Sequence, residues 1–291
     1  MFKGSFVALV TPFTDGKIND DQFQSFVDWQ VNEGTHGLVP CGTTGESPTM
    51  SHAEHKHVTE LCIEAASGRV PVLAGAGSNS TSEAVDLAQH AQSTGADALL
   101  VVSPYYNKPT QAGLFAHYEA INAVAEIPII VYNIPGRSVV NIELDTMKRI
   151  AGLSNVVGVK DATADLALPG LVRREIGPDF CQLSGEDASA IPFLVAGGHG
   201  CISVSANIAP ALCAQQHNAW NAGDVAEAQA IQDKLVYLHR SMFCESSPGP
   251  VKYAAQLLGF CTDEMRLPMV EISDSSKAQV EAAMRELNLI D

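Results

Sequence analysis

The chain has 291 residues, 46% hydrophobic and 17% charged, an ordinary globular composition with enough apolar material for a large core. Its 17 lysines and arginines stand against 33 acids, a formal net charge of −16, which repels nucleic-acid phosphates and anionic lipid and excludes both as expected partners. The seven cysteines, Cys41, Cys62, Cys181, Cys201, Cys213, Cys244 and Cys261, are odd in number, scattered and without a CxxC pair, so reduced cytosolic thiols are expected rather than a disulfide framework or a zinc site.

The first segment, "MFKGSFVALVTPF", carries one lysine and an apolar run too short to span a membrane, with no small-residue cleavage site after it. It reads as a first strand, "SFVALVTPF", of a cytoplasmic protein. "NDDQFQSFVDWQVNEG" then places Phe23, Phe26, Val27 and Val31 on one helical face, with an Asn or Asp cap in front and Gly34 behind. "HGLVPC" is predicted strand and residues 51–66 helix. "VPVLAG" is strand, followed by the helix of "NSTSEAVDLAQHAQSTG", capped by Asn79 or Ser80. "DALLVVSP" and "IPIIVYN" are strands, each followed by a helix, at 111–125 and 143–151. "NVVGVK" precedes a helical stretch near 166–176, "FCQLSG" precedes a helix at 187–196, and "HGCISVS" is the eighth strand.

These strands are continuously apolar rather than alternating, as parallel strands covered on both faces are. Eight strand–helix units predict a (β/α)8 TIM barrel. A doubly wound open sheet is the alternative, but strand one runs into "TPFTDGK" and not into a glycine-rich dinucleotide turn. Only helices follow, at 209–222, 225–242, 251–258 and 276–287. The expected organisation is a catalytic barrel over 1–223 and a C-terminal helical region over 224–291 packed on it.

Chemistry in such a barrel sits at the C-terminal ends of the strands. Strand two delivers "CGTTGES", strand four "SPYYNKP", strand five "YNIPGR", strand six Lys160, strand seven "SGED" and strand eight "ISVSAN". A lysine leaving a strand usually points to solvent. One that closes a buried strand at the catalytic rim is desolvated, which favours a neutral amine able to attack a carbonyl and form a Schiff base. Tyr132 ends the neighbouring strand, so its phenol is a candidate proton carrier for the same pocket. "GTTGE" is no P-loop; it is either a plain turn or a set of backbone N–H groups near a helix start suited to a carboxylate, with the Thr43 and Thr44 hydroxyls beside it.

The motifs "GTTGE", "SPYYNKP", "YNIPGR", "GVKDAT" and "GGHGCISVSAN", with "GPVKYAAQLLG" and "RLPM" in the tail, resemble in order and spacing the dihydrodipicolinate synthase family along essentially the whole chain. The resemblance implies a cytoplasmic, homotetrameric (β/α)8 Schiff-base lyase without a cofactor, which condenses pyruvate with L-aspartate 4-semialdehyde to 4-hydroxy-tetrahydrodipicolinate in lysine biosynthesis. By position it makes Lys160 the Schiff-base lysine and Tyr132 the central proton carrier. It gives Thr43 and Thr44 the pyruvate carboxylate, with Thr44 also relaying protons. Tyr106 completes the relay in the neighbouring subunit's site, Arg137 binds the semialdehyde carboxylate, and Ile202 lines the pocket. Two departures stand out: "KDATA", with Asp161 and Ala164, where the family often has "KEATG", and "SPGPVK" (Ser247–Lys252) in place of "NPIPVK".

An arginine at position 137 fits a small carboxylate through paired charge-assisted bonds, whereas sialic acid and other sugar-acid aldolases, the runner-up reading, generally lack it because their substrates present a polyol there. A non-catalytic ligand-binding barrel and a phosphate-binding barrel using "GGHG" (Gly197–Gly200) are the remaining alternatives. His52 and His55 lie three apart on a helix without HExxH or a third ligand, so no metal is expected. The resemblance places Ser47, His52, His55, Asn79, Glu83 and Tyr105 in a site for lysine as feedback inhibitor, with Glu83 pairing its ammonium. Tyr105 and Tyr106 are adjacent; in extended backbone their side chains point opposite ways, so one loop is expected to serve two sites.

Overall fold

The structure, a computed structural model, describes residues 2–291. Strand β1 (Gly4–Ala8) is buried along its whole length but stops before the end of the predicted run. The rest enters an antiparallel hairpin, β2 (Phe13–Thr14) with β3 (Lys17–Ile18). Asp15 and Gly16 turn it with φ of 52° and 75°, the left-handed pair that a two-residue Asp-Gly hairpin demands. That dipeptide, just past the predicted strand, was the signal for the turn.

Helix α1 (Asp20–Asn32) is capped by Asn19, whose side chain accepts from Gln22 N, and it buries Phe23, Phe26 and Val27 while Val31 is half-buried. Then come β4 (Gly37–Val39), α2 (His52–Ala66), β5 (Leu73–Gly75) and α3 (Thr81–Ser93). Ser80 holds the cap position of α3 but makes no side-chain cap bond. Strand β6 (Ala98–Val102), α4 (Gln111–Asn122) and β7 (Ile129–Asn133) follow the prediction. Helix α5 (Pro135–Ser138) does not: "PGRS" forms one helical turn, started by a proline whose fixed φ suits the first helical position. Next are α6 (Leu144–Ala151), β8 (Val156–Asp161), α7 (Leu168–Glu175), β9 (Cys181–Ser184), α8 (Ala190–Val195) and β10 (Gly200–Ser203). The helix predicted from 187 begins as a 3-10 turn, Asp187–Ser189. The tail carries α9 (Pro210–Asn221), α10 (Val225–Ser241), α11 (Gly249–Leu257) and α12 (Asp274–Glu286).

The chain divides into two compact units. One takes the residues up to Lys3 and Pro71–Ile202. Its strands β5 to β10 pair in parallel, each with its successor in sequence. A doubly wound sheet would reverse that order part-way. The other unit takes Gly4–Val70 and Ser203–Asp291. In it β1 pairs in parallel with β4, Phe6 beside Gly37 through Ala8 beside Val39, over a core that includes Phe6, Phe13, Phe23, Phe26, Leu38 and Leu235. Buried Asn207 ties this unit together: its Nδ2 donates to the Ala8 carbonyl and its Oδ1 accepts from Val10 N. Eight parallel strands alternating with helices are the (β/α)8 pattern that the continuous apolar runs predict. Among the described residues no helix is long and apolar enough to cross a membrane.

Candidate active site

Strands β7 and β8 run side by side with Tyr132 opposite Lys160 and Asn133 opposite Asp161. Residues in register on adjacent parallel strands project from the same face, so Tyr132 and Lys160 meet. Lys160 Nζ lies 4.2 Å from the centre of the Tyr132 ring, and the two residues are only 6% and 5% exposed. Of the residues chosen from sequence, this pair is brought into contact as expected. The two strand ends thus set a buried amine directly against a buried phenol ring.

Asp161, one residue on, projects from the opposite face of β8. It lines a small cleft with Ser184, Glu186 and Phe193. Burial pushes the Asp161 carboxyl above its ordinary value, against the pull of the Thr163 hydrogen bonds. Glu186 is also raised, first by burial and then by Asp187, with the Lys160 charge opposing. The loops after β8 and β9 approach closely at Gly185, whose N–H donates to the Asp161 carbonyl at 2.6 Å; a Cβ there would sit 2.7 Å from the Ala162 side chain.

The loop after β7 is braced from both sides. Asn133 Nδ2 donates to Asn141 Oδ1 at 2.8 Å and its Oδ1 accepts from Ile142 N at 3.1 Å. Ser138 Oγ lies within hydrogen-bonding distance of the carbonyls of Ile134 and Val140, 2.9 Å from each. Between these ties stand exposed Arg137, in the last turn of α5, and Val139 at φ 67°, an unusual conformation for a β-branched residue. Such strain is held only where the surroundings over-determine it. Ile202 is fully buried on β10.

Tyr106 is 87% exposed and Tyr105 half-buried. The expectation of extended backbone at this pair is corrected: Tyr106 has φ 74°, and Asn107 N donates across it to the Tyr105 carbonyl at 2.9 Å, a tight three-residue turn. The turn, not strand alternation, throws the Tyr106 ring outward. Asn107 Nδ2 donates to the Asn79 carbonyl at 2.8 Å, which ties this loop to the start of α3. There Ser78 Oγ donates to Glu83 Oε2 at 2.7 Å. Asn79, Glu83 and Tyr105 thus belong to one corner of their unit.

In the other unit, Thr43 and Thr44 stand in the turn after β4, Thr43 half-buried and Thr44 buried. Glu46 N closes the turn onto the Thr43 carbonyl at 3.1 Å. Ser47 is half-buried, while His52 is exposed and His55 buried on α2. Among the described residues no group of three or more His, Cys, Asp or Glu is placed to hold a metal ion. Sequence reasoning missed Glu46. It is buried in the left-handed conformation, and its carboxylate meets Lys252 Nζ at 2.7 Å in an ion pair whose side chains are 2% and 0% exposed. The signal was a charged residue inside an otherwise uncharged turn, but its partner lies 206 residues away.

The Dihydrodipicolinate synthetase family model matches residues 1–287. The 4-hydroxy-tetrahydrodipicolinate synthase of Rhodospirillum centenum is 59% identical over 290 residues, covering 100% of both chains. The crystal structure of the chloride-inhibited dihydrodipicolinate synthase from Acinetobacter baumannii, complexed with pyruvate, superposes with a TM-score of 0.97 at 39% identity, covering 100% of each chain. The lysine-bound enzyme of Cyanidioschyzon merolae superposes with a TM-score of 0.96 at 34% identity, covering 99% of each.

Proposed function

The chain belongs to the dihydrodipicolinate synthetase family, and from that premise we propose that Lys160 does its chemistry as a Schiff-base lysine. The reaction is the condensation of pyruvate with L-aspartate 4-semialdehyde to 4-hydroxy-tetrahydrodipicolinate, a lyase step of lysine and diaminopimelate biosynthesis. The fold is a (β/α)8 barrel with C-terminal helices. The observation that carries the assignment to Lys160 is its buried amine 4.2 Å from the Tyr132 ring centre.

In this reading the neutral Nζ bonds to C2 of pyruvate, and the ketone oxygen leaves as water, giving an imine. The cationic imine draws electrons from C3, which loses a proton and becomes the enamine carbon. That carbon bonds to the aldehyde carbon of the semialdehyde, whose oxygen takes up a proton. The semialdehyde's amino group then attacks C2, displaces Nζ, closes the ring and frees Lys160. Tyr132 carries protons beside Nζ. Thr43 and Thr44 hold the pyruvate carboxylate, Thr44 passes protons onward, Arg137 binds the semialdehyde carboxylate by paired bonds, and Ile202 lines the pocket.

We assign residues 1–223 to the catalytic barrel and 224–291 to a helical region packed on it. The working form is a cytoplasmic homotetramer in which Tyr106 serves a neighbour's site. Its high exposure and outward turn support that role. Lysine is the feedback inhibitor, bound by Ser47, His52, His55, Asn79, Glu83 and Tyr105; the lysine-bound relative supports this.

Incubation with pyruvate and borohydride, followed by peptide mapping, tests the central assignment. The reduced adduct is expected on Lys160 and absent from Lys160→Ala. An adduct on another lysine overturns it.

A further inference from the structure

Two tail motifs, "GPVK" and "RLPM", have no part in the chemistry above, and neither does the glutamate of "GTTGE". All three meet in one unit. Fully buried Lys252, on α11, donates from Nζ to Glu46 Oε1 at 2.7 Å and to the Glu264 carbonyl. Arg266 donates its backbone N–H to the other Glu46 oxygen, Oε2, at 3.2 Å. Its guanidinium reaches the Thr49 carbonyl at 3.0 Å, the Gly16 carbonyl at 2.8 Å and Glu54 at the start of α2 at 2.5 Å. The Phe13 ring receives both cations, Lys252 Nζ at 4.4 Å and the Arg266 guanidinium carbon at 4.5 Å from its centre.

What this cluster grips is the turn that presents Thr43 and Thr44. Glu46 ends it at φ 58° and ψ 33°, a conformation that an L-residue with a side chain keeps only under external constraint. Thr49 Oγ1 adds a bond to the Glu46 carbonyl at 3.0 Å. Inside the turn, Gly45 is packed against backbone, with Thr11 Oγ1 donating to its carbonyl at 2.8 Å, and a Cβ there would lie 3.1 Å from the Leu9 carbonyl oxygen. Both carboxylate oxygens of Glu46 are thus taken by residues of the tail. The Lys252 amine is pushed below the ordinary lysine range by burial, with Glu46 opposing, so each charge of the pair depends on the other.

We propose that Lys252 and Arg266 are positioning residues: by clamping the Glu46 carboxylate they hold the Thr43–Thr44 turn in the shape that binds a small carboxylate. This rests on the reading of that turn as the pyruvate carboxylate site. It gives the tail motifs a task in substrate affinity rather than in folding alone, and it separates recognition, set from the tail, from bond-making at Lys160.

The test uses the full chain and two variants, Lys252→Met and the double variant Glu46→Gln/Lys252→Met. The double variant leaves no unpaired buried charge and keeps the test available should the single one fail to fold. Thermal melting reports stability. The pyruvate concentration that half-saturates borohydride trapping reports the turn. The double variant is expected to regain stability yet need roughly tenfold more pyruvate, the loss of one charged hydrogen-bonding arrangement, with the semialdehyde KM within about twofold, well inside that tenfold step. Half-saturation that returns to the parent value along with the melting temperature overturns the proposal, because the pair would then be merely structural. Thr44→Val, run in parallel, separates the two layers. If it leaves trapping unchanged, the carboxylate reading of the turn fails; if it weakens trapping while the double variant does not, only the clamp fails.

Discussion

Arg137 stands in a single helical turn whose loop is tied down by Asn133 and Ser138, so its guanidinium starts from a fixed base. Arg137→Ala is expected to raise the semialdehyde KM at least tenfold, since a charge-assisted hydrogen bond contributes about 1.5–3 kcal/mol. Pyruvate trapping should stay near the parent level; equal loss of both would place the arginine elsewhere in the reaction. Ala164 shows a different consequence of local geometry. It sits exposed at φ 62°, where the resembling family often has glycine, and a Cβ in that region costs about 1–2 kcal/mol. Glycine's freer unfolded chain returns about 0.4–1 kcal/mol of that. Ala164→Gly should therefore stabilise the protein by up to about 1.6 kcal/mol, read as a higher urea midpoint at constant slope. A lower midpoint would mean that the alanine is not strained.

Helix α2 begins with a reciprocal capping box between Ser51 and Glu54, and Glu54 also receives the Arg266 fork. That hydrogen bond is the main cause holding the Glu54 carboxyl down at about 2, from an ordinary 4.5. The folded state therefore binds fewer protons than the unfolded chain between those values. The resulting stability is fully present above 4.5 and is lost as pH falls toward 2. Glu54→Gln keeps the capping reach, because glutamine serves the same box position, and removes the titration. The stability gap between parent and variant should narrow steadily from pH 5 to about pH 2 in urea titrations, with a modest size because the pair is partly exposed. A gap that is constant with pH would show that the carboxylate charge contributes nothing. At the same level, the β7–β8 register decides the site, since a one-residue slip would carry Lys160 to the face that Asp161 now occupies.

At the scale of the whole molecule, the net charge of −16 makes local cations the recognition elements for anionic substrates, which raises the weight on Arg137. Control is assigned to free lysine. Glu83 already accepts from Ser78 Oγ at 2.7 Å, so a ligand ammonium would join a carboxylate that is held in place. Glu83→Ala is expected to relieve lysine inhibition by roughly tenfold in the half-inhibiting concentration, with uninhibited turnover retained. Inhibition unchanged in this variant would sink the site. An assembly that remains fully active as isolated monomers would sink the shared role of Tyr106.

The apolar runs of "IPIIVYN" and "NVVGVK" were enough to place two buried parallel strands, and with them Tyr132 and Lys160 at one rim, because strand burial and strand ends are written in consecutive residues. The cap of α1 was equally local, set by Asn19, whereas the Ser51–Glu54 box that starts α2 is just as local but went unread. Tyr106 stands exposed through a tight turn that no extended-strand argument supplies, closed by Asn107 N on the Tyr105 carbonyl, with the Asn107 side chain bonded to Asn79. Glu46 and Lys252 went unread for a related reason: a pair 206 residues apart leaves no periodicity in either segment. Only folding brings two such charges into one dry place, where each becomes costly to bury without the other.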